Sequence, residues 1–244
     1  GLGEDKAAQR FLAEDVERKC QPYVPMSAGS AAHMVNAARV TADSIIYPGP
    51  YAHYQYVGEV MAGRAPKHYT GQPLIYHGGA LRGKQWDKRM MADHGKEVEK
   101  DLEGYLNIME EVRKFLRTYP PLAEGKLHVD FLPEEAQSYS VEAVPAKEIV
   151  RSYVDGSTVR QFLFVVASRE FFGDKIRQQL DNLSFYGDFS EWLREQTMAG
   201  SLPNLGEGRK VMLMEATTSG YAMAAEASMA RYQIQCRMEF FQTR

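Results

Sequence analysis

Residues 230–241, ARYQIQCRMEFF, decide the reading of the fold. Tyr232, Ile234, Cys236, Met238 and Phe240 alternate strictly with Arg231, Gln233, Gln235, Arg237 and Glu239. Successive side chains of a strand point to opposite faces, so the alternation predicts a strand with one dry face and one wet face. Upstream, KVMLMEAT (210–217) and GYAMAAEA (220–227) read as two further strands that complete a meander. STVRQFLFVVASREFF (157–172), rich in β-branched and aromatic residues, predicts a long strand bounded by the turn dipeptide Asp155-Gly156. QSYSVEAVP and KLHVDFLP predict two more. A helix over about 174–199 should bury Ile176, Leu180, Leu183, Phe189, Trp192 and Leu193, with a break at Gly187.

Before residue 105 the pattern changes. AAQRFLAEDVERKC (7–20) places Phe11, Leu12, Val16 and Cys20 at helical spacing, and the prolines of QPYVPMSAG end that helix. HMVNAARVTADSIIYP predicts an extended hairpin up to the Pro48-Gly49-Pro50 turn, and Pro50 suits the start of a short helix carrying Tyr51, Tyr54 and Gly58 along one side. The 62–84 stretch has no period and reads as a long excursion available for contact. A charged helical stretch follows, interrupted at Gly95 and Gly104, and YLNIMEEVRKFLRTY (105–119) predicts a second helix stopped by Pro120 and Pro121. The fold class is therefore α+β: two small domains, 1–104 and 105–244, each a mostly antiparallel sheet packed with helices.

Composition excludes several functions. The chain has 244 residues and a net charge of −3, with 13 basic and 13 acidic residues before the domain cut. Neither half is a basic nucleic-acid binder, because the counterion release that drives such binding has no source in a balanced charge. No apolar run approaches the roughly 18 residues of a membrane span, and nothing at the N-terminus reads as a signal peptide. Cys20 and Cys236 sit at opposite ends and read as core thiols in a reducing compartment.

Motifs for chemistry fail on inspection. His33, His53, His68, His77 and His94 fall in the first domain, yet none forms a His-x-x-x-His pair or neighbours a Cys-x-x-Cys, so no metal is expected. In YHGGALRGK, Gly78 and Gly83 precede Lys84, but Gln85 stands where a phosphate loop needs a hydroxyl. No Gly-x-Ser-x-Gly elbow occurs. RSYVDGS (151–157) resembles the His-x-x-x-Asp-Gly motif of CoA-dependent acyltransferases, but Arg151 occupies the place of the general base and a guanidinium accepts no proton. His128, the only histidine of the second half, reads as solvent-facing on its strand, with Asp130 two residues along on the same side. The tyrosines at 47, 51, 54 and 56 read as packing residues over the preceding SIIY strand, with phenols at the rim. No catalytic, cofactor-binding or metal residue is assigned, and the chain is not expected to be an enzyme. A small-molecule acyltransferase and a binding module are the alternatives to a structural role.

In order and spacing, CQPYVPMSAG, IIYPGPYAHYQYVGEVMAG and KQWDKRMMADHGKEVEKDL resemble the minor capsid or tail-completion proteins of long-tailed phages and prophages. The resemblance covers about residues 8–104 and rests on Pro22-Tyr23-Val24-Pro25, Gly29, Pro50-Tyr51-Ala52, Gln55-Tyr56, Gly58 and Trp86. From about Met109, MEEVRKFLRTYPPL, YVDGSTVRQFLFVVASREFFG, LPNLGEGRKVMLMEATTSGY and ARYQIQCRMEFFQ resemble a tail-terminator-like minor capsid protein commonly encoded just downstream. The resemblance implies a structural protein of the head–tail connection, with no catalytic residues and no cofactor. It implies assembly into a ring, contact with other neck or tail-tube proteins, and a place in the virion, with the bacterial host cytoplasm as the site of assembly. Neither a specific nucleic acid nor a membrane is expected as partner.

Overall fold

A computed structural model describes residues 6–26, 34–41, 43–49, 51–123, 127–129, 132, 138–144, 146–171, 176–225 and 229–244. The chain is α+β and divides into two compact units, Gly1–Gly104 and Tyr105–Arg244.

The second unit is built on two long strands. β8 (Thr158–Phe171) and β11 (Met229–Gln242) pair antiparallel over fourteen residue pairs, from Thr158↔Gln242 to Phe171↔Met229. The dry face of β11 emerges as expected, with Tyr232, Ile234, Cys236, Met238 and Phe240 buried, whereas on the expected wet face only Gln235 is exposed, Arg231, Arg237 and Glu239 are half-buried, and Gln233 is buried. The dry-face residues stand opposite Ser168, Val166, Phe164, Phe162 and Arg160. Each long strand is flanked by a broken one. β6 (Ser138–Val144) and β7 (Ile149–Ser152) both pair with β8, at its two ends, and β5 (Leu127–Val129) adds in parallel to β6. On the other side, β9 (Arg209–Ala216) pairs with the second half of β11 and β10 (Tyr221–Ala225) with the first. The expected meander is therefore one interrupted edge strand.

The interruption has a visible cause. Thr217 N–H donates to Gln235 O at 2.8 Å, and Gln235 N–H donates to the Thr218 hydroxyl at 3.1 Å, so two threonines replace ladder bonds where the strand breaks. At Gly220 the chain passes over Tyr186, and a Cβ there would lie 2.4 Å from Tyr186 Cβ.

Helix α5 (Ile176–Ala199) links β8 to β9 and runs through Gly187 without the expected break. Tyr186, Phe189 and Leu193 are its buried residues among those described; the side chains of Ile176, Leu180 and Leu183 lie outside the described residues. Tyr186 carries a buried polar link: its phenol donates to Tyr232 O at 3.0 Å and meets the Ser168 hydroxyl at 2.7 Å. Thr197 caps the sheet edge, donating to Met214 O at 2.7 Å and accepting Met214 N–H at 3.0 Å.

Helix α3 (Trp86–Leu116) corrects two expected helices into one. Gly95 and Gly104 do not interrupt it, since a helical glycine costs only about 1 kcal/mol relative to alanine and a packed apolar stripe offsets that. The unit boundary falls inside this helix. Within the second unit, its residues Tyr105 and Phe115 meet Phe162 and Trp192, with ring centroids 6.1 and 5.0 Å apart. Pro120 and Pro121 do not end α3; they open the short helix α4 (Pro120–Ala123), where proline's missing N–H is harmless.

The first unit contains α1 (Lys6–Cys20), a 3₁₀ turn (Met34–Ala37), α2 (Ala52–Val57), and two antiparallel ribbons. β1 (Arg39–Val40) pairs with β2 (Ile45–Ile46), and β3 (Glu59–Ala62) with β4 (His68–Pro73). The 62–84 excursion is thus an ordered hairpin followed by a turn, closed at its base by Leu74 N–H donating to Gly58 O at 2.9 Å. Its missing periodicity has a plain reason: all six residues of β4 are exposed, so no buried face exists for an alternation to record.

Candidate assembly surfaces

The residues that distinguish the first unit serve its packing. Trp86 sits between Tyr47 and Tyr56, both edge-on to it with centroids 5.3 and 5.0 Å away. It belongs to a core with Cys20, Tyr23, Val24, Met90 and Val98. Tyr47 and Tyr56 are therefore the packing tyrosines. Tyr51, expected to pack, is 63% exposed and touches Tyr54 at 5.8 Å, because the side of α2 that faces the core is the one bearing Tyr56.

Tyr23 donates its hydroxyl to Asp93 at 2.7 Å, and this bond pushes the phenol's pKa up. The Arg89 guanidinium lies 5.8 Å from its ring centroid. Arg82 reaches back from the turn after β4 to donate to the carbonyls of Gln21, Val24 and Gly78, and Gly83 N–H donates to Tyr23 O at 3.1 Å. The glycine-rich YHGGALRGK stretch is thus fastened to the PYVP turn by its own arginine. Gly58 ends α2 in the left-handed region at φ 85°, where a Cβ would lie 2.6 Å from Lys84 Cδ. Lys19 ties α1 to α3, its ammonium 2.8 Å from Asp15 and 2.5 Å from Asp101.

The histidines do not converge. His94 bonds Glu97 at 3.0 Å, His77 forms an isolated bridge with Met26, and His68 lies against Gly63; His33 lies outside the described residues. Among the described residues no group of three or more His, Cys, Asp or Glu side chains could hold a metal ion. Cys20 and Cys236 are both free and buried. Burial pushes the Cys20 thiol up to about 12 and raises that of Cys236 as well, so neither is a nucleophile near neutrality. No helix among the described residues is long and apolar enough to cross a membrane.

In the second unit Arg151 lies on β7, and Asp155-Gly156 forms the β7–β8 hairpin turn. Ser157 donates its N–H and its hydroxyl to Asp155 Oδ1 at 2.9 and 2.6 Å, and Gly156 takes φ 86°. These bonds hold the Asp155 carboxyl below its ordinary range. The Asp-Gly pair is committed to a turn. His128, on β5, is half-buried opposite Ser140 rather than open to solvent, and Asp130 lies outside the described residues.

Around that hairpin the second unit exposes apolar side chains. Val150 and Tyr153 are exposed, Val154 at the tip is fully so, and beside them a groove of about 340 Å³ is lined by Val159, Met212 and Phe241 together with Arg151 and Glu239. Clustered exposed apolar residues mark surfaces that meet another protein. Across the rest of that face run ion pairs and amides: Arg231–Glu142 at 2.8 Å, Arg237–Glu215 at 2.5 Å, and Gln233 donating to Tyr221 at 2.6 Å.

Taken together, the first unit is a scaffold whose distinctive residues hold backbone turns and an aromatic core, with no converging chemistry among those described. Residues 4–105 match the family model of minor capsid proteins. Over nearly its whole length the first unit is thus similar to phage minor capsid proteins. No curated protein matches the chain. In the sequence Trp86 and Tyr23 stand without a visible role, and the Arg82 clamp is not legible at all; a lone arginine after two glycines carries no local signal that it will bond a turn some 60 residues away.

Proposed function

We propose that this chain is a structural component of the phage head–tail connection. Its first domain acts as a tail-completion or joining protein. Its second acts as a tail-terminator-like subunit that assembles into a ring and meets the tail tube. One observation carries the reading: the β7–β8 hairpin exposes Val150, Tyr153 and Val154 at a groove of mixed apolar and charged lining at one end of a sheet. Such a surface suits subunit contact, which requires complementary patches and no chemistry. The acyltransferase alternative gains nothing from the same groove, because Arg151 cannot deprotonate an acceptor.

Gold-labelled antibody against the chain, imaged on purified virions, is expected to mark the junction of head and tail. Particles made without the chain are expected to separate into free heads and tails of uneven length. Label spread over the capsid faces, or intact particles without the chain, would overturn the assignment.

A further inference from the structure

We infer that Asp155-Gly156, at the tip of the β7–β8 hairpin, is a latent isomerisation site, and that Ser157 is the residue that keeps it from converting to an isoaspartyl link. The property belongs to the hairpin itself, whatever the hairpin meets.

Asp155-Gly156 is the chain's one Asp-Gly pair, and the chain has no Asn-Gly. Aspartate before glycine is the pairing most open to this reaction, because glycine has no side chain to hinder approach to its own amide nitrogen. In the reaction the Gly156 nitrogen attacks Asp155 Cγ. A carbon–nitrogen bond forms, the C–OH bond of the carboxyl breaks, and one water leaves, made of that hydroxyl and the amide proton. The product is a cyclic imide, which water reopens at either carbonyl. Opening at the former backbone carbonyl leaves Gly156 joined through Cγ, so the backbone gains one carbon and the net change in mass is zero.

The turn can shed neither residue. Gly156 takes φ 86°, which a residue with a side chain adopts only under strain. Asp155 is the clasp: its Oδ1 accepts the Ser157 N–H at 2.9 Å and the Ser157 hydroxyl at 2.6 Å. The hazardous pair is therefore built into the hairpin, and both of its residues are exposed to water.

The same bonds oppose each requirement of the reaction. Ring closure needs the carboxyl neutral, since a carboxylic acid can lose its hydroxyl and a carboxylate cannot. Two donors on Oδ1 favour the ionised form and hold the Asp155 carboxyl below its ordinary range. Closure also needs the carboxyl free to turn Cγ onto the Gly156 nitrogen, and the Ser157 bonds fix its rotation. Finally, the Gly156 amide must give up its proton, and that N–H donates to Tyr153 O at 3.1 Å in a turn closed by Tyr153 N–H on Ser157 O at 2.9 Å. Ser157 is itself buried, which shields its hydroxyl from exchange with water. An isoaspartyl link would break the Tyr153–Ser157 register and displace the exposed tip residue Val154.

The test ages the full chain for several weeks at body temperature and neutral pH and quantifies isoaspartate at residue 155 by peptide mapping, with isoaspartyl methyltransferase labelling as a second count. Folded wild type is expected to convert at least about tenfold more slowly than the same chain held unfolded in guanidinium chloride, a factor that one hydrogen bond to a charged group can supply. Ser157→Ala, which removes the hydroxyl bond alone, should convert about tenfold faster than wild type when folded, and Ser157→Thr, which keeps both donors, at the wild-type rate. In guanidinium chloride the three chains should convert alike. Circular dichroism and melting temperature before ageing establish that each variant starts folded; should Ser157→Ala fail to fold, Ser157→Cys, a weaker donor, takes its place. Folded wild type that converts as fast as the unfolded chain, a Ser157→Ala rate equal to wild type, or a Ser157→Ala excess that survives in guanidinium chloride would each overturn the inference. So would an unfolded chain that forms no isoaspartate at residue 155.

Discussion

In the second unit one ladder of fourteen pairs between β8 and β11 sets the register of everything around it, whereas in the first the longest ribbon, β3 with β4, has three paired positions. The first unit compensates with point fastenings: Trp86 between two tyrosines, Arg82 across three carbonyls, Lys19 between Asp15 and Asp101. A continuous sheet spreads its stability over many equivalent contacts. A unit made of short ribbons concentrates it in a few side chains. Single substitutions should therefore act differently in the two halves.

The largest expected effect is in the first unit. Trp86→Ala empties the centre of its aromatic cluster and should cost about 3–5 kcal/mol. Calorimetry of the full chain would then show loss of one transition while the other stays in place. Equal movement of both transitions would break the contrast drawn above. Next in size, Gly220→Ala drives a methyl into Tyr186 at a point where backbone and ring already touch, and should destabilise the second unit by about 1–3 kcal/mol in urea unfolding.

A smaller effect depends on pH. Burial raises the pKa of Glu170, opposed by hydrogen bonds with Ser168 and Tyr139. A carboxyl that holds its proton more tightly in the folded state stabilises below its unfolded pKa, and that stability is lost as pH rises through the raised value. Glu170→Gln should therefore raise the melting temperature near pH 7 and leave it almost unchanged near about pH 3. An equal gain at both values would show that the carboxyl's charge is irrelevant. Smallest of all, Tyr51→Ala should shift stability by less than about 0.5 kcal/mol, because the ring stands in solvent. A larger loss would mean that α2 packs through a different side.

These expectations mark how much was legible in the sequence. The alternation of Tyr232 to Phe240 gave the face of β11 directly, because period two has a single structural meaning. Asp155-Gly156 was equally plain as a turn. Tyr51 reads as a packing residue yet stands in solvent, because a helix of six residues contains too little periodicity to tell which side is inward. Gly95, Gly104 and Gly187 read as breaks because glycine's propensity is a local quantity, while the packing that overrides it comes from partners distant in sequence. The 62–84 hairpin escaped pattern reading altogether, since exposed strands need no alternation.

The paired length of β8 and β11 also bears on load. Pulled parallel to their axes, the two strands would slide only if all fourteen pairs yielded together; peeled apart from the Thr158 and Gln242 end, the same pairs would open in succession. Forced unfolding is governed by rate, so the direction of tension, and not the depth of the energy well, sets how long such a subunit holds. A subunit that takes its tension along these strands would outlast one that takes it across them, with no change in sequence.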